Sequence, residues 1–263
     1  MSDFKHVWSD RWADPHAIFD GLSDDYDLYR PRYAEASLHR MLAYAGPVGA
    51  LLDLGCGTGI LTRPLRDLLP GALIVGADPG NDMLARAAAA SPPGFAWLTC
   101  RAEQLPLAAA SLDLMTVGQA AHWFDRPKFY PECARVLRPG GTLAVLYNNR
   151  IRGTAVSEAQ EALLAELSPG YTRDYRDFDV AAELHALPAA RDVTEQRQTW
   201  DWNRSLEDYI GYARSTSHYK VACRHRPEAE VIARFVAALA PLADASGTLV
   251  VPYETVVTLA RFG

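Results

Sequence analysis

A glycine-rich turn with an acidic residue just before it is the part of this sequence best suited to hold a nucleotide-like cofactor. A short apolar stretch containing Asp53 runs into Gly55, Cys56, Gly57 and then Gly59. Where a strand turns into a helix against a ligand, glycine is needed, because a side chain would block the ligand and strain a positive φ. The spacing therefore predicts a cofactor site at this turn, with Asp53 contributing to it.

The details of the turn favour S-adenosylmethionine (SAM) over NAD. The dinucleotide fingerprint requires a third glycine three positions after the second, and Ile60 stands three positions after Gly57. A carboxylate at Asp53 would repel a pyrophosphate but attract the ammonium and sulfonium of SAM. An NAD-dependent oxidoreductase is the alternative enzyme class.

A second acidic residue follows at the distance expected of a ribose ligand. Asp78 lies nineteen residues after Gly59 and ends a second apolar stretch. A carboxylate there can accept hydrogen bonds from both ribose hydroxyls. An aspartate that opens a helix before Pro79 would give the same pattern.

Apolar runs alternate with amphipathic ones from residue 48 onward, which predicts a parallel, doubly wound α/β sheet. Strands are predicted at Val48–Leu54, Leu73–Asp78, Phe95–Cys100, Ser111–Val117 and, after a turn at Pro139–Gly141, at Thr142–Asn148. Two further strands, at Asp192–Trp202 and Leu249–Phe262, are expected as an antiparallel pair at the edge.

The chain divides into two predicted parts. Residues 1–46 form an N-terminal helical lid segment, and residues 47–263 form the core with a cap insertion at about 203–247. One predicted helix of the cap spans Ser205–Tyr219, and the insertion is expected to cover the active site.

Several motifs in residues 20–150 resemble, in order, those of class I SAM-dependent methyltransferases. They are the runs 53–59, 78–84, 102–106 and 138–143. Among these enzymes the chain resembles the group of ubiquinone/menaquinone-biosynthesis and trans-aconitate methyltransferases. The resemblance implies a seven-stranded, mostly parallel Rossmann-like sheet with an antiparallel C-terminal strand. It also implies that Met83 lies against adenine, near Ala102 and Glu103.

The resemblance extends to residues 26–33, which match a segment that folds over the SAM site in related enzymes. It implies that Tyr26 and Arg30 approach the methionine moiety, with Arg30 pairing its carboxylate. Tyr29 and Tyr33 would line the substrate mouth. An ordinary aromatic segment packed on the core is the alternative.

The loop after the fourth strand, residues 119–125, is the place for acceptor chemistry, because ligands lie at the carboxyl ends of strands in this fold. His122 could act as a general base near neutral pH, or it could only shape the pocket. Trp123 could pack near the cationic end of the cofactor.

The candidate residues form two sets. The predicted cofactor-binding residues are Tyr26, Arg30, Asp53, Gly55, Cys56, Gly57, Asp78, Pro79, Met83, Ala102, Glu103 and Gln119. The predicted substrate-binding residues are Tyr29, Tyr33, His122, Trp123, Tyr147, Asn149 and Tyr219.

The amino-acid composition excludes several kinds of binding partner. With 26 basic and 32 acidic residues the net charge is −6, and no basic block is present, which argues against a nucleic-acid partner. Neither the four cysteines nor the histidines have metal-ligand spacing, so no metal is expected. No apolar run approaches the length of a membrane span, and the first residues contain no secretory core. We expect a cytoplasmic monomer or homodimer.

Together these features predict an enzyme that transfers a methyl group from SAM, in an SN2 step, to a small-molecule acceptor. A carboxylate or hydroxyl oxygen is the first choice for the acceptor atom. The alternatives are C- or N-methylation of a natural-product intermediate and a SAM-binding protein that transfers no methyl group.

Overall fold

The computed structural model describes residues 21–168, 170–172 and 178–263. In these ranges seven strands form one sheet. In chain order they are β1 Ala50–Leu54, β2 Leu73–Asp78, β3 Ala96–Thr99, β4 Leu112–Gly118, β5 Leu137–Arg150, β6 Ala190–Ser205 and β7 Thr248–Phe262.

The strand order is β3-β2-β1-β4-β5-β7-β6. The pairs among β1 to β5 are parallel, and β7 runs antiparallel to both β5 and β6. The predicted α/β fold, mostly parallel with antiparallel C-terminal strands, is confirmed. The chain moves outward in one direction from β1 and in the other from β4, and ligands bind at the carboxyl ends of the strands beside such a reversal.

Helices cover both faces of the sheet. They are α1 Ser23–Tyr29, α2 Glu35–Ala45, α3 Thr62–Leu68, α4 Asn81–Ala89, α5 Arg126–Val136, α6 Ala155–Leu167, α7 Val180–His185, α8 Leu206–Arg214, α9 Ser217–His225 and α10 Glu228–Leu239. Of the predicted lid segment 1–46, residues 1–20 lie outside the described residues, and α1 and α2 belong to the rest.

The central strands are buried on both faces, which explains why they read as continuous apolar runs. Leu51 and Leu114 enter the core beneath α2 and α3. Their neighbours Leu52 and Met115 enter the opposite core, beneath α5 and α7. This alternation fixes the register of the strands, because a shift by one residue would exchange the two faces.

A third core lies beyond the sheet. The helices α8, α9 and α10, here called the cap helices, lie between β6 and β7 and pack with α6 around Tyr209, Phe235 and Trp202. This core is rich in aromatic rings, and it forms one wall of the cavity described below.

Two predicted elements are corrected by long-range contacts. The predicted helix Ser205–Tyr219 is divided into α8 and α9 at Ser215 and Thr216. The Ser215 carbonyl accepts a hydrogen bond from Arg30 at 2.8 Å, and the Thr216 hydroxyl caps α9 by accepting from the backbone N–H of Tyr219. The bond from Arg30 joins residues 185 positions apart, whereas the Thr216 cap is local to the segment.

The predicted turn at Pro139–Gly141 lies inside β5 rather than before it. Leu137 pairs with Leu112, and Gly141 pairs with Phe262, so neighbouring strands hold both sides of the turn in the sheet. Within the described ranges, no helix is long and apolar enough to cross a membrane.

Candidate functional site

A cavity of about 590 Å³ lies at the carboxyl ends of β1, β2, β4 and β5. Its volume lies within the range typical of small-molecule sites. The predicted residues that line it are Tyr26, Arg30, Tyr33, Asp53, Gly55, Cys56, Gly57, Asp78, Pro79, Met83, Ala102, Glu103, Gln119, His122, Trp123 and Asn149. The fold therefore brings most of both predicted sets together.

The glycine turn is closely packed. Gly55 and Gly57 have φ angles of +67° and +54°, a region that side chains disfavour. A Cβ at Gly55 would lie 2.5 Å from the Cβ of Ala120, in the loop after β4. The absence of a side chain lets the two loops meet beneath the cavity.

Replacing Gly55 by alanine should therefore destabilise the protein and weaken cofactor binding. The clash with Ala120 and the positive φ together should lower the free energy of unfolding by about 2–4 kcal/mol. Chemical denaturation measures the loss. Gly71→Ala is the matched control, because a Cβ there meets nothing within 4 Å; an equal effect in both variants would contradict this account of the turn.

Asp53 is fully buried beneath the turn. Its carboxylate accepts hydrogen bonds from the Thr62 hydroxyl at 2.5 Å and the Thr116 hydroxyl at 2.8 Å. Burial raises the pKa of Asp53 to about 6, against the lowering effect of these two bonds. Asp53 therefore connects Thr62 on α3 to Thr116 on β4, and its burial disfavours the charged form of the carboxyl.

This burial predicts a specific pH dependence. In the folded protein Asp53 binds its proton more tightly than in the unfolded chain, where the pKa of this carboxyl is near 3.8. Ionisation of Asp53 therefore lowers the free energy of unfolding as the pH rises from about 4 to about 6. A shift of about two pKa units corresponds to about 3 kcal/mol. Asp53→Asn should remove this decrease, measured as the difference in unfolding free energy from the wild type across that range. Asp201→Asn, at an exposed position on β6, should leave it unchanged; an Asp53→Asn curve parallel to that of the wild type would contradict the prediction.

Asp78 lies at the end of β2, directly beside the turn. One carboxylate oxygen accepts the backbone N–H of Gly57 at 3.0 Å, and the other accepts that of Gly80 at 2.8 Å. Because a carboxylate oxygen accepts more than one hydrogen bond, Asp78 can also accept bonds from a ligand. The two backbone bonds fix the position of its carboxylate beside the cavity.

Glu103 connects two loops of the site. Its carboxylate accepts the backbone N–H of Asp125 at 2.8 Å and lies 3.5 Å from the Arg101 guanidinium. The loop after β3 is thereby joined to the loop after β4. Met83 packs against Gly80 on the same side of the cavity.

Gln119 has a strained backbone and an unsatisfied buried oxygen. Its φ is +57°, which is uncommon for a residue other than glycine, and its side-chain nitrogen donates to the Asn148 carbonyl at 2.9 Å. Its side-chain oxygen is buried and finds no donor among the described residues. A buried acceptor of this kind is satisfied by a ligand that carries N–H groups.

Helix α1 is held from two sides. The Asp27 carboxylate pairs with Arg63 on α3 and, at 3.5 Å, with Arg86 on α4. Arg30 donates to the Ser215 hydroxyl and carbonyl, at 2.8 Å each, and its guanidinium lies 4.5 Å from the ring of Tyr26. Helix α1 thus connects the cofactor side of the cavity to the cap helices.

The loop after β4 places His122 in the cavity wall with 6% of its surface exposed. Its ring nitrogen Nδ1 lies 3.3 Å from the Tyr147 hydroxyl, which also accepts its backbone N–H at 3.1 Å. Trp123 lies beside it, with ring centroids 5.0 Å apart. Tyr147 thus orients His122 from behind the wall.

Tyr29 and Tyr219, two other predicted substrate residues, also pack behind the wall. The Tyr29 ring fills the space above Gly211, where a Cβ would lie 2.6 Å from it. Tyr219 is 4% exposed and packs against Phe235 in the cap core. The sequence could not show this, because the face of each helix that meets the cap is decided by distant segments.

The predicted sets did not include the residues of the cavity wall opposite the glycine turn. This wall contains Arg150, Gln160, Tyr212 and Tyr253. Arg150 pairs with Glu161 at 3.0 Å. The position of Arg150 at the end of β5 and the density of aromatics in the cap were the available signals. Nothing in the sequence marks Gln160 or Tyr253. Within the described ranges, no cluster of side chains fit to hold a metal ion is found.

Comparisons with known proteins show the family to which this chain belongs. Residues 52–145 match the family model described as a methyltransferase domain. An uncharacterized methyltransferase of Mycobacterium tuberculosis is 42% identical over 125 residues, which cover 48% of this chain and 49% of that protein. The chain thus spans about half the length of the first curated relatives it matches.

Two further relatives represent the group that the motifs resemble. The ubiquinone biosynthesis O-methyltransferase of Caulobacter vibrioides is 31% identical over 175 residues, covering 62% of this chain and 69% of that protein. The trans-aconitate 2-methyltransferase of Deinococcus radiodurans is 34% identical over 124 residues, covering 46% and 47%.

The fold is shared with solved methyltransferase structures. One from Anaeromyxobacter dehalogenans, named as a type II methyltransferase, superposes with a TM-score of 0.63 at 24% identity, covering 89% of this chain and 98% of that one. With the glycine turn, the acidic residue at the end of β2 and the sheet order in place, the chain belongs to the class I SAM-dependent methyltransferases.

Proposed function

We propose that this chain binds SAM in the cavity and transfers its methyl group to an oxygen of a small-molecule acceptor. The observation that carries the proposal is the position of Asp78, whose two oxygens are fixed by Gly57 and Gly80 beside a turn that a side chain would block. The two ribose hydroxyls of a nucleoside could donate hydrogen bonds to these two oxygens.

The residues around the turn fit the rest of the cofactor. The unsatisfied side-chain oxygen of Gln119 suits the ammonium of the methionine moiety. The Arg30 guanidinium keeps N–H donors besides those used by Ser215, and no carboxylate of the described residues lies within ion-pair distance of it. It therefore suits the carboxylate of the same moiety.

Bound SAM would supply a methyl group that its sulfonium already activates for attack by a nucleophile. The chain then has to align the acceptor and exclude water. Tyr26 lies over Gly57, and helix α1 closes this side of the cavity through Asp27 and Arg30. Tyr33 and His122 line the space between the turn and the cap helices.

The acceptor space is suited to a small molecule with polar oxygens. It is lined by aromatic rings and by Arg150, Gln160 and Tyr253, which can bind oxygen atoms. The net charge of −6 disfavours a nucleic-acid acceptor. Two relatives, named as a ubiquinone biosynthesis O-methyltransferase and a trans-aconitate 2-methyltransferase, support a small-molecule acceptor.

The test is release of S-adenosylhomocysteine (SAH) from SAM with a panel of small carboxylates, phenols, amines and carbon nucleophiles. Release with an oxygen acceptor, together with a methylated product by mass spectrometry, supports the proposal. Release with amines or carbon nucleophiles alone would overturn the assignment of oxygen. SAM binding without release across the panel would favour a protein that transfers no methyl group.

A further inference from the structure

The hydroxyl of Tyr212 lies in an unusual environment on the wall opposite the glycine turn. Tyr212 belongs to α8, lines the cavity and is 7% exposed. Its hydroxyl receives a hydrogen bond from Tyr253 at 3.4 Å, and the positive charge of Arg150 acts on it. The Arg30 guanidinium lies 5.5 Å from its ring centroid.

Among the described residues, the groups next to this oxygen are the Tyr253 hydroxyl and two guanidinium cations. No carboxylate or carbonyl oxygen of these residues accepts a hydrogen bond from the Tyr212 hydroxyl, although a buried hydroxyl ordinarily donates as well as accepts. Such a group can lose its proton to solvent or present the oxygen to a donor in the cavity. The environment therefore favours the phenolate.

The charges that face Tyr212 come from several elements. Arg30, directly after α1, and Arg150 on β5 are cationic, and Glu161 on α6 pairs with Arg150. Tyr253 on β7 and Tyr209 on α8 complete the polar surroundings. Among the described residues, two cations and one carboxylate surround the Tyr212 oxygen, so their charges are positive on balance.

The pKa values of Tyr209, Tyr212 and Tyr253 agree with this positive charge. Burial raises the pKa values of Tyr209 and Tyr253. Burial acts in the same direction on Tyr212, but Arg150 and Arg30 outweigh it and lower the pKa of Tyr212 to about 8.

We propose that Tyr212 is the catalytic general base of this enzyme and that the acceptor is methylated at a hydroxyl oxygen. The acceptor hydroxyl gives its proton to the Tyr212 phenolate oxygen and forms a bond to the methyl carbon. The carbon–sulfur bond breaks, its electron pair stays on sulfur, and Tyr212 later releases the proton to solvent. This inference rests on the proposed function and narrows it, because a carboxylate acceptor needs no base.

The direct test is a spectroscopic pH titration of tyrosinate in the protein without ligands. We expect one tyrosine of the wild type to ionise about two pH units below the usual value near 10. Tyr212→Phe should remove this early step. Tyr44→Phe, which alters a hydroxyl bonded to the Asp192 carbonyl outside the cavity, should retain it. Arg30→Gln should move the step to higher pH, since one cation is lost.

The titration has clear contrary outcomes. A wild type without the early step, or an early step that persists in Tyr212→Phe, overturns the proposal. SAH binding, measured by calorimetry on the same proteins, separates this result from a failure of the proposed function. A wild type that binds no SAH would remove the cofactor assignment, whereas the tyrosinate titration does not depend on it.

Turnover provides a second readout with any acceptor found in the panel. The kcat of the wild type should rise with pH as Tyr212 ionises, and Tyr212→Phe should lower kcat by about 100-fold or more without changing the KM for SAM. A kcat that is independent of pH, or turnover of carboxylates alone, would contradict the role of Tyr212 as a base.

Discussion

Replacing Asp78 by alanine should weaken SAH binding by about 100-fold or more. A hydrogen bond to a charged group contributes about 1.5–3 kcal/mol, and two ribose hydroxyls would lose their acceptor. Each 1.4 kcal/mol corresponds to about a tenfold change in Kd. The backbone N–H groups of Gly57 and Gly80 would also lose their partner, so the turn itself would loosen.

Isothermal titration calorimetry with SAH measures this effect. Asp78→Asn, which keeps one acceptor oxygen and loses the charge, should fall between the wild type and alanine. Asp201→Ala removes an exposed carboxylate on β6 and should bind normally. Normal affinity in a folded Asp78→Ala protein would contradict the assignment of Asp78 to the ribose.

The second large effect concerns stability. Arg150→Gln should lower the free energy of unfolding by about 3–5 kcal/mol, because it removes a cation that pairs with the largely buried Glu161 carboxylate. The two groups lie 3.0 Å apart, and their side chains are only 10% and 20% exposed. The same arginine forms part of the acceptor wall, so the acceptor side of the cavity should be altered as well.

Urea unfolding of single and double variants isolates the pair. Arg150→Gln with Glu161→Gln should recover much of the loss, because no unpaired charge is left. Arg226→Gln breaks an exposed pair with Glu230 on the surface and should cost about 0.5 kcal/mol or less. Equal losses for Arg150→Gln and Arg226→Gln would contradict the importance of burial.

The residues that line the cavity around the glycine turn could be predicted because their signals are local. Asp53, Asp78 and the glycines between them lie within one strand–turn–helix–strand unit, and the fold places the ends of β1 and β2 side by side. The strands could also be predicted, because the central strands are buried on both faces and form continuous apolar runs in the sequence. These features depend on residues that are close in the sequence.

The acceptor half could not be predicted to the same extent. Tyr212 and Arg150 are 62 residues apart in the sequence, and their contact depends on how α8 packs over the end of β5. Arg30, which directly follows α1 and is far away in the sequence, binds the segment between α8 and α9. Tyr29 and Tyr219 contribute to packing instead of the cavity wall for the same reason. Here the deciding interactions are tertiary.

The most direct test of the central assignment is calorimetric titration of the wild-type protein with SAH, followed by NADH under the same conditions. The structure predicts that one SAH molecule binds per chain with micromolar affinity and that NADH produces no saturable heat. Absence of SAH binding, or saturable binding of NADH alone, would contradict the assignment of the cavity to SAM.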